Sequence, residues 1–154
     1  MIISITGHRP ERIPDMKVVA VGLQNAYRHL EASRVIQGCA AGVDLASAQM
    51  AYRSGIPFWN ARPWAGHTPR KEDQTTYAAM LKYAEKTVDV DPSIKFPGFW
   101  IYQKRNKWMV DNAEATIAVW DGVEKGGTWN CIKYAWEKNV PVLVIDPVTG
   151  KFDE

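Results

Sequence analysis

Short apolar runs alternate with amphipathic stretches along the whole chain. Ile2-Ile3-Ser4-Ile5 predicts a short buried strand, ended by Thr6-Gly7. Asp15 is placed to cap a helix running to about residue 31, with Val18, Val19, Gly22, Leu23, Ala26 and Leu30 along one face. Residues 34–37 read as the second strand, 43–54 as a helix stopped by Gly55, and 56–61 as the third strand. A loop rich in Pro, Gly and His covers 62–72, followed by a helix over 73–86 and a strand over 87–90. Residues 91–98 form a second long loop, 99–113 a helix, 115–120 a strand, 127–139 a helix and 140–145 the last strand, with a tail expected to fray. Six strands alternating with five helices predict one α/β domain over 1–154, a Rossmann-like, doubly wound, mostly parallel sheet with helices on both faces. Strands such as residues 140–145, apolar throughout, fit burial on both sides. In such sheets ligands bind beyond the carboxyl ends of the strands.

Composition narrows the class. The chain has 154 residues, 46% apolar and 23% charged, the balance of a globular domain with its own core. Its formal charge of +2 argues against a protein that coats nucleic acid by charge alone. The charge is uneven: residues 1–111 carry a net +5 and residues 112–154 a net −3, which leaves room for a local anion site. No signal-peptide pattern opens the chain and no run reaches membrane-span length, so a cytoplasmic protein is expected, in the host cytoplasm if phage-encoded. Cys39 and Cys131 read as reduced core residues, and His8 and His67 are too isolated for a metal site. No cofactor is expected.

The unusual residues fall at strand ends. Gly7, His8 and Arg9 follow the first strand, where glycine allows close backbone approach and arginine offers a fork for phosphate or carboxylate. Gly38 to Gly42 open the next helix with small residues, so that backbone N–H groups can face an anion. Asp44 is either a helix-start acid favoured by the dipole, or a ribose hydroxyl acceptor or catalytic carboxylate. Arg105 shares a face with Met109 at i, i+4, beside Asn106 and ahead of Asp111. Gly126, Gly127 and Thr128 open the last helix as a second anion cradle, with Trp129 and Asn130 next to it. Trp120 and Trp129 flank that cradle, as core or rim packing or as faces for a base. The 62–72 loop carries Arg62, Trp64, His67, Arg70 and Lys71 and reads as surface or as a lid. Together these features point to a phosphate-bearing ligand.

The order of these motifs resembles the SLOG superfamily, and within it the YpsA-like, DUF1273-type proteins of bacteria and phages. The residues that carry the likeness are Thr6-Gly7-His8-Arg9-Pro10, Gly38 to Asp44, Gln74-Thr75-Thr76-Tyr77, Arg105 to Asp111, Asp121-Gly122, and Gly126 to Asn130. The likeness spans about residues 2–147. It implies a Rossmann-like fold and a nucleotide or nucleotide-derived ligand on Gly7, Arg9, Gly38, Gly42, Asp44, Arg105, Asn106, Gly126, Gly127 and Thr128. One departure matters. LOG-type hydrolases of that superfamily carry a catalytic Glu three residues after the Thr, and here that position is Cys131.

The leading expectation is therefore a binding module that senses or sequesters a nucleotide signal. Nucleotide N-glycosidase or phosphoribohydrolase action is the alternative, with Asp44 or Asp111 supplying the carboxylate. DprA-like single-stranded DNA binding is a third, for which the aromatics exist but the charge is thin. Dimerisation is common among the relatives, and exposed tryptophans suit an interface, so a homo-oligomer is expected.

Overall fold

The computed structural model describes residues 1–153. Seven strands form one sheet: β1 (Ile2–Gly7), β2 (Arg34–Gln37), β3 (Phe58–Trp64), β4 (Lys86–Asp91), β5 (Ala115–Val119), β6 (Val142–Ile145) and β7 (Phe152–Asp153). Their order is β4-β3-β2-β1-β5-β6-β7. The first six run parallel, and β7 pairs antiparallel with β6. Five helices connect them: α1 (Met16–His29), α2 (Val43–Arg53), α3 (Gln74–Tyr83), α4 (Trp100–Asp111) and α5 (Gly126–Glu137). The α1, α2 and α3 helices pack in one layer and α4 and α5 in the other. This is the doubly wound α/β architecture expected.

Each layer has its own reason to bury. Asp15 caps α1 by accepting the Lys17 N–H at 2.9 Å, and Val19, Leu23 and Ala26 then press on Ile3, Ile5 and Val35 of the sheet. On the other face Ile36, Ala61 and Met109 cluster with Trp59 and Trp108. Val110, Cys131 and Ala135 close a third cluster between α4 and α5. Where β1 meets β5, Ser4 and Thr116 share a buried hydroxyl bond of 2.7 Å, so two polar side chains satisfy each other inside the sheet. Both cysteines are buried and unpaired.

The structure corrects several boundaries. The tail does not fray. Asp146 accepts the Gly150 N–H and donates to the Lys151 carbonyl, and this turn lays Phe152 back on β6 and against His29. With an edge strand beyond it, β6 alternates buried and half-buried residues, and β5 is the strand buried throughout. The third strand continues past residue 61 to Trp64, because Arg62 pairs with Asp89 across the β3–β4 ladder. The helix expected over 73–86 ends at Tyr83, since Glu85 turns back to bond Arg34 and the Trp59 indole. No helix among the described residues is long and apolar enough to cross a membrane.

Candidate functional site

The chain leaves β1 toward β2 on one side and returns to β5 on the other, so connections diverge at the carboxyl end of β1. A cleft of about 660 Å³ opens there. Gly7, His8 and Arg9 extend from β1 into it, Asp44 from the start of α2, Arg105 and Asn106 from α4, and Gly127 and Thr128 from the start of α5. Two other hollows lie elsewhere: an apolar groove of about 210 Å³ between α2 and α3, and a surface hollow of about 720 Å³ beside α1 and residues 149–153.

Arg105 dominates the floor of the cleft. It lies on the buried stripe of α4 between Ile101 and Met109 and is only 7% exposed. Its Nη1 donates to the Gly38 carbonyl, and its Nε donates to Asn106 Oδ1 at 3.1 Å. A Cβ on Gly38 would stand 2.8 Å from the guanidinium, so glycine makes room for it. Among the described residues no carboxylate lies within ion-pair distance of Arg105. A cation taken out of water without a bonded counter-ion costs several kcal/mol.

Asp44 is the nearest electrostatic partner. It is 6% exposed, and its Oδ2 accepts the Ala40 N–H at 3.1 Å. Burial raises its pKa, against the pull of Arg105, the amides of Ala40 and Gly38, and Arg9. The turn before α2 is thus only partly an anion cradle. The Cys39 amide donates to Gln37 Oε1 at 2.7 Å, the Ala40 amide goes to Asp44, and the Val43 amide goes to the His8 carbonyl at 3.3 Å. Gly42, at φ +92°, brings the turn so close to β1 that a Cβ would meet the His8 carbonyl at 2.6 Å.

His8 is fixed by bonds at both ring nitrogens. The Asp121 amide donates to Nε2 at 3.2 Å, and Nδ1 lies 3.4 Å from the Thr128 hydroxyl. The Asp121 carboxylate lies 3.2 Å from the same Nε2, so both the amide and the side chain of Asp121 meet that nitrogen. Burial lowers the pKa of His8, with Asp121 opposing, which favours the neutral ring. The Thr128 hydroxyl also lines the cleft. Arg12 bonds the Asp121 carboxylate from outside and holds this corner together.

The outer wall is aromatic. Trp64 and Tyr102 line the cleft with ring centroids 6.0 Å apart, and Arg105 lies 5.8 Å from the centre of the Tyr102 ring. Phe99 stands at the mouth, 82% exposed. The 65–73 segment crosses this side, and Arg70 ties it to Asp73 and to Glu11 on the opposite wall.

Of the residues singled out from sequence, Gly7, His8, Arg9, Asp44, Arg105, Asn106, Gly127 and Thr128 meet in the cleft. Gly38 and Gly42 back it. Gly126, Trp129 and Asn130 lie outside its lining. Trp129 stacks on Trp120 at 5.3 Å and 7°, and neither ring is part of the cleft lining. Asp111 is exposed at the far end of α4 and accepts the Tyr134 hydroxyl at 2.6 Å. Sequence reasoning missed Phe99 and Tyr102. Tyr102 had a signal, its i, i+3 spacing to Arg105, while Phe99 had none.

No family model matches the chain. Over 85 residues it is 36% identical to an uncharacterized SPbeta prophage-derived protein, YoqJ, of Bacillus subtilis (strain 168). That match covers 44% of this chain and 49% of the relative, so it spans about half the length of the curated protein. Among solved structures, DNA processing protein A from Helicobacter pylori, described for its single-stranded DNA binding mode, superposes with a TM-score of 0.73 at 16% identity, over 95% of this chain and 65% of that one. The molybdenum cofactor binding protein of Rippkaea orientalis superposes with a TM-score of 0.63 at 16% identity, over 94% of this chain and 75% of that one. Identity this low establishes the fold alone, a Rossmann-like α/β arrangement.

Proposed function

We propose that the chain binds a nucleotide or nucleotide-derived small molecule in the strand-end cleft, as a sensing or sequestering module of the YpsA-like, DUF1273 type. One observation carries this reading: Arg105 is a nearly buried guanidinium with no carboxylate bonded to it, at the floor of an open cleft. An anion placed there satisfies the charge that the fold leaves open. Arg9 and the Thr128 hydroxyl add donors, and Trp64, Phe99 and Tyr102 supply ring faces at a distance suited to a base. Asp44 is placed to accept a ribose hydroxyl. A Rossmann-like sheet that binds a cofactor in one relative and single-stranded DNA in another supports a ligand-binding role.

Calorimetric titration against AMP, NAD, ADP-ribose and cyclic oligonucleotides tests the proposal. Micromolar to submillimolar binding of a panel member is the expected result. Absence of heat from every member at millimolar concentration overturns it.

A second reading is N-glycosidic cleavage, favoured by the buried Asp44 carboxylate in the same cleft. It predicts release of free base from a nucleoside monophosphate, seen by chromatography and lost in Asp44→Asn. Unchanged nucleotide after overnight incubation at high protein concentration counts against it. Single-stranded DNA is separated from both by a gel shift at low salt, where phosphate contacts are strongest.

A further inference from the structure

Two buried amides are not used by the reading above. Gln37 ends β2 and Asn60 is its partner in register on β3, each 0% exposed. Neither lines the cleft. Their bonds run in one direction, from a turn to a helix. The Cys39 amide donates to Gln37 Oε1 at 2.7 Å, Gln37 Nε2 donates to Asn60 Oδ1 at 2.6 Å, and Asn60 Nδ2 donates to the Met80 carbonyl of α3 at 3.1 Å. Backbone groups fix this polarity at both ends. The Cys39 N–H can only donate and the Met80 carbonyl can only accept, so neither amide can be turned over without losing its bonds. The remaining amide hydrogens go to Met80 Sδ at 3.1 Å and Thr87 Oγ1 at 3.0 Å. A buried pair this fully bonded holds one geometry. The turn it holds needs holding. Cys39 has φ +69°, the left-handed region that disfavours a residue with a side chain. On either side of it, the Gly38 carbonyl accepts from Arg105 Nη1 and the Ala40 amide donates to Asp44 Oδ2.

We propose that Gln37 is a positioning residue of the anion site: through the Cys39 amide it fixes the 38–40 turn, and that turn aims Arg105 and Asp44 into the cleft, with Asn60 anchoring Gln37 to α3. The inference rests on the reading of the cleft as a site for a phosphate-bearing ligand. It accounts for two amides inside a sheet where apolar side chains would pack with no polar group to satisfy. An apolar residue at position 37 would leave the Cys39 N–H without its acceptor and the left-handed turn without its tie. Arg105 meets the turn at the Gly38 carbonyl, so a shift of that carbonyl moves the guanidinium.

Gln37→Met keeps the length of the side chain and removes its acceptor. Calorimetry with pyrophosphate should show about tenfold weaker binding than wild type, the loss expected from one misaimed bond to a charged group. Urea unfolding gives the folded fraction of each variant. Thr116→Val is the control. It breaks the buried Ser4–Thr116 bond of the same sheet, and should lower stability while leaving pyrophosphate affinity within twofold of wild type. Equal affinity in wild type and folded Gln37→Met overturns the inference and leaves the reading of the cleft intact. A matching loss in Thr116→Val overturns it as well, because any loosening of the sheet would then suffice. A second measurement needs no variant to fold. In ¹H–¹⁵N spectra of the wild type, saturating pyrophosphate should shift the side-chain amide signals of Gln37 and Asn60, although neither lines the cleft. Signals that stay in place overturn the inference. Failure of the wild type to bind pyrophosphate overturns the inference, and failure to bind the nucleotides of the panel as well overturns both.

Discussion

Asp44→Asn separates two demands that the cleft places on one carboxylate. Asp44 sits beside the site proposed for an anion, so its charge opposes a bound phosphate. It is also the acceptor proposed for a ribose hydroxyl. The opposition has a size. Taking the carboxylate and a phosphate bound on the far side of the Arg105 guanidinium as roughly 6–8 Å apart, with an effective dielectric of about 20–40, the repulsion is about 1–3 kcal/mol. Removing one charge therefore strengthens binding of a bare anion about five- to a hundredfold. Pyrophosphate has no ribose and reports the charge alone, so its affinity should rise by that factor in Asp44→Asn. ADP-ribose reports both effects, and its gain should be smaller, because the amide replaces a charged acceptor by a neutral one. Competition calorimetry on wild type and variant measures both ligands, with urea unfolding run in parallel to show that the variant is folded. Pyrophosphate affinity that is unchanged or weaker in the variant would refute the reasoning, because Asp44 would then not face the anion. A larger gain for ADP-ribose than for pyrophosphate would refute the ribose assignment alone.

Other outcomes follow from the same geometry. Stability should fall as the pH is lowered from about 6.5 toward 4: the unfolded His67 takes its proton near the ordinary value while the folded one resists to about 4, so in that window the unfolded state binds more protons. His8, also held neutral, adds to the slope, and His67→Gln should flatten it in urea titrations at stepped pH. Gly7→Ala would set a Cβ 2.5 Å from the Val43 side chain, and should cost about 1–3 kcal/mol in urea unfolding by forcing the start of α2 away from β1. Trp129→Ala breaks the stack on Trp120 and should destabilise the chain by about 1–3 kcal/mol, with nucleotide affinity kept within twofold of wild type. Asp111→Asn loses an exposed bond to Tyr134 and should change neither stability by more than about 1 kcal/mol nor nucleotide binding.

How far the cleft was legible in sequence depends on what brings each residue to it. Gly7, Arg9, Asp44, Gly127 and Thr128 follow strands directly, and a parallel sheet carries every strand end to the same edge, so finding the strands finds these residues. Arg105 needed the helical period as well, and its pairing with buried Met109 supplied that. Asp111 shows where periodicity alone misleads. It shares α4 with Arg105, but α4 runs back against the strands to deliver the chain to β5, so its last turn lies at the opposite edge. There the Glu114 amide bonds the Ile2 carbonyl at 2.8 Å, at the very start of β1. The direction of the crossover, which is readable once β5 is recognised, separates the two acids better than their spacing does. The tryptophans lacked such a rule. Trp120 and Trp129 bracket the glycines in sequence, but each ring finds the other across the turn and the pair closes on itself. The faces left for a base come instead from β3, the 91–99 loop and the first turn of α4, and only the packing of two long loops places Trp64, Phe99 and Tyr102 side by side. The anion half of the site is thus written in local motifs at strand ends. The half that would select the ligand is tertiary.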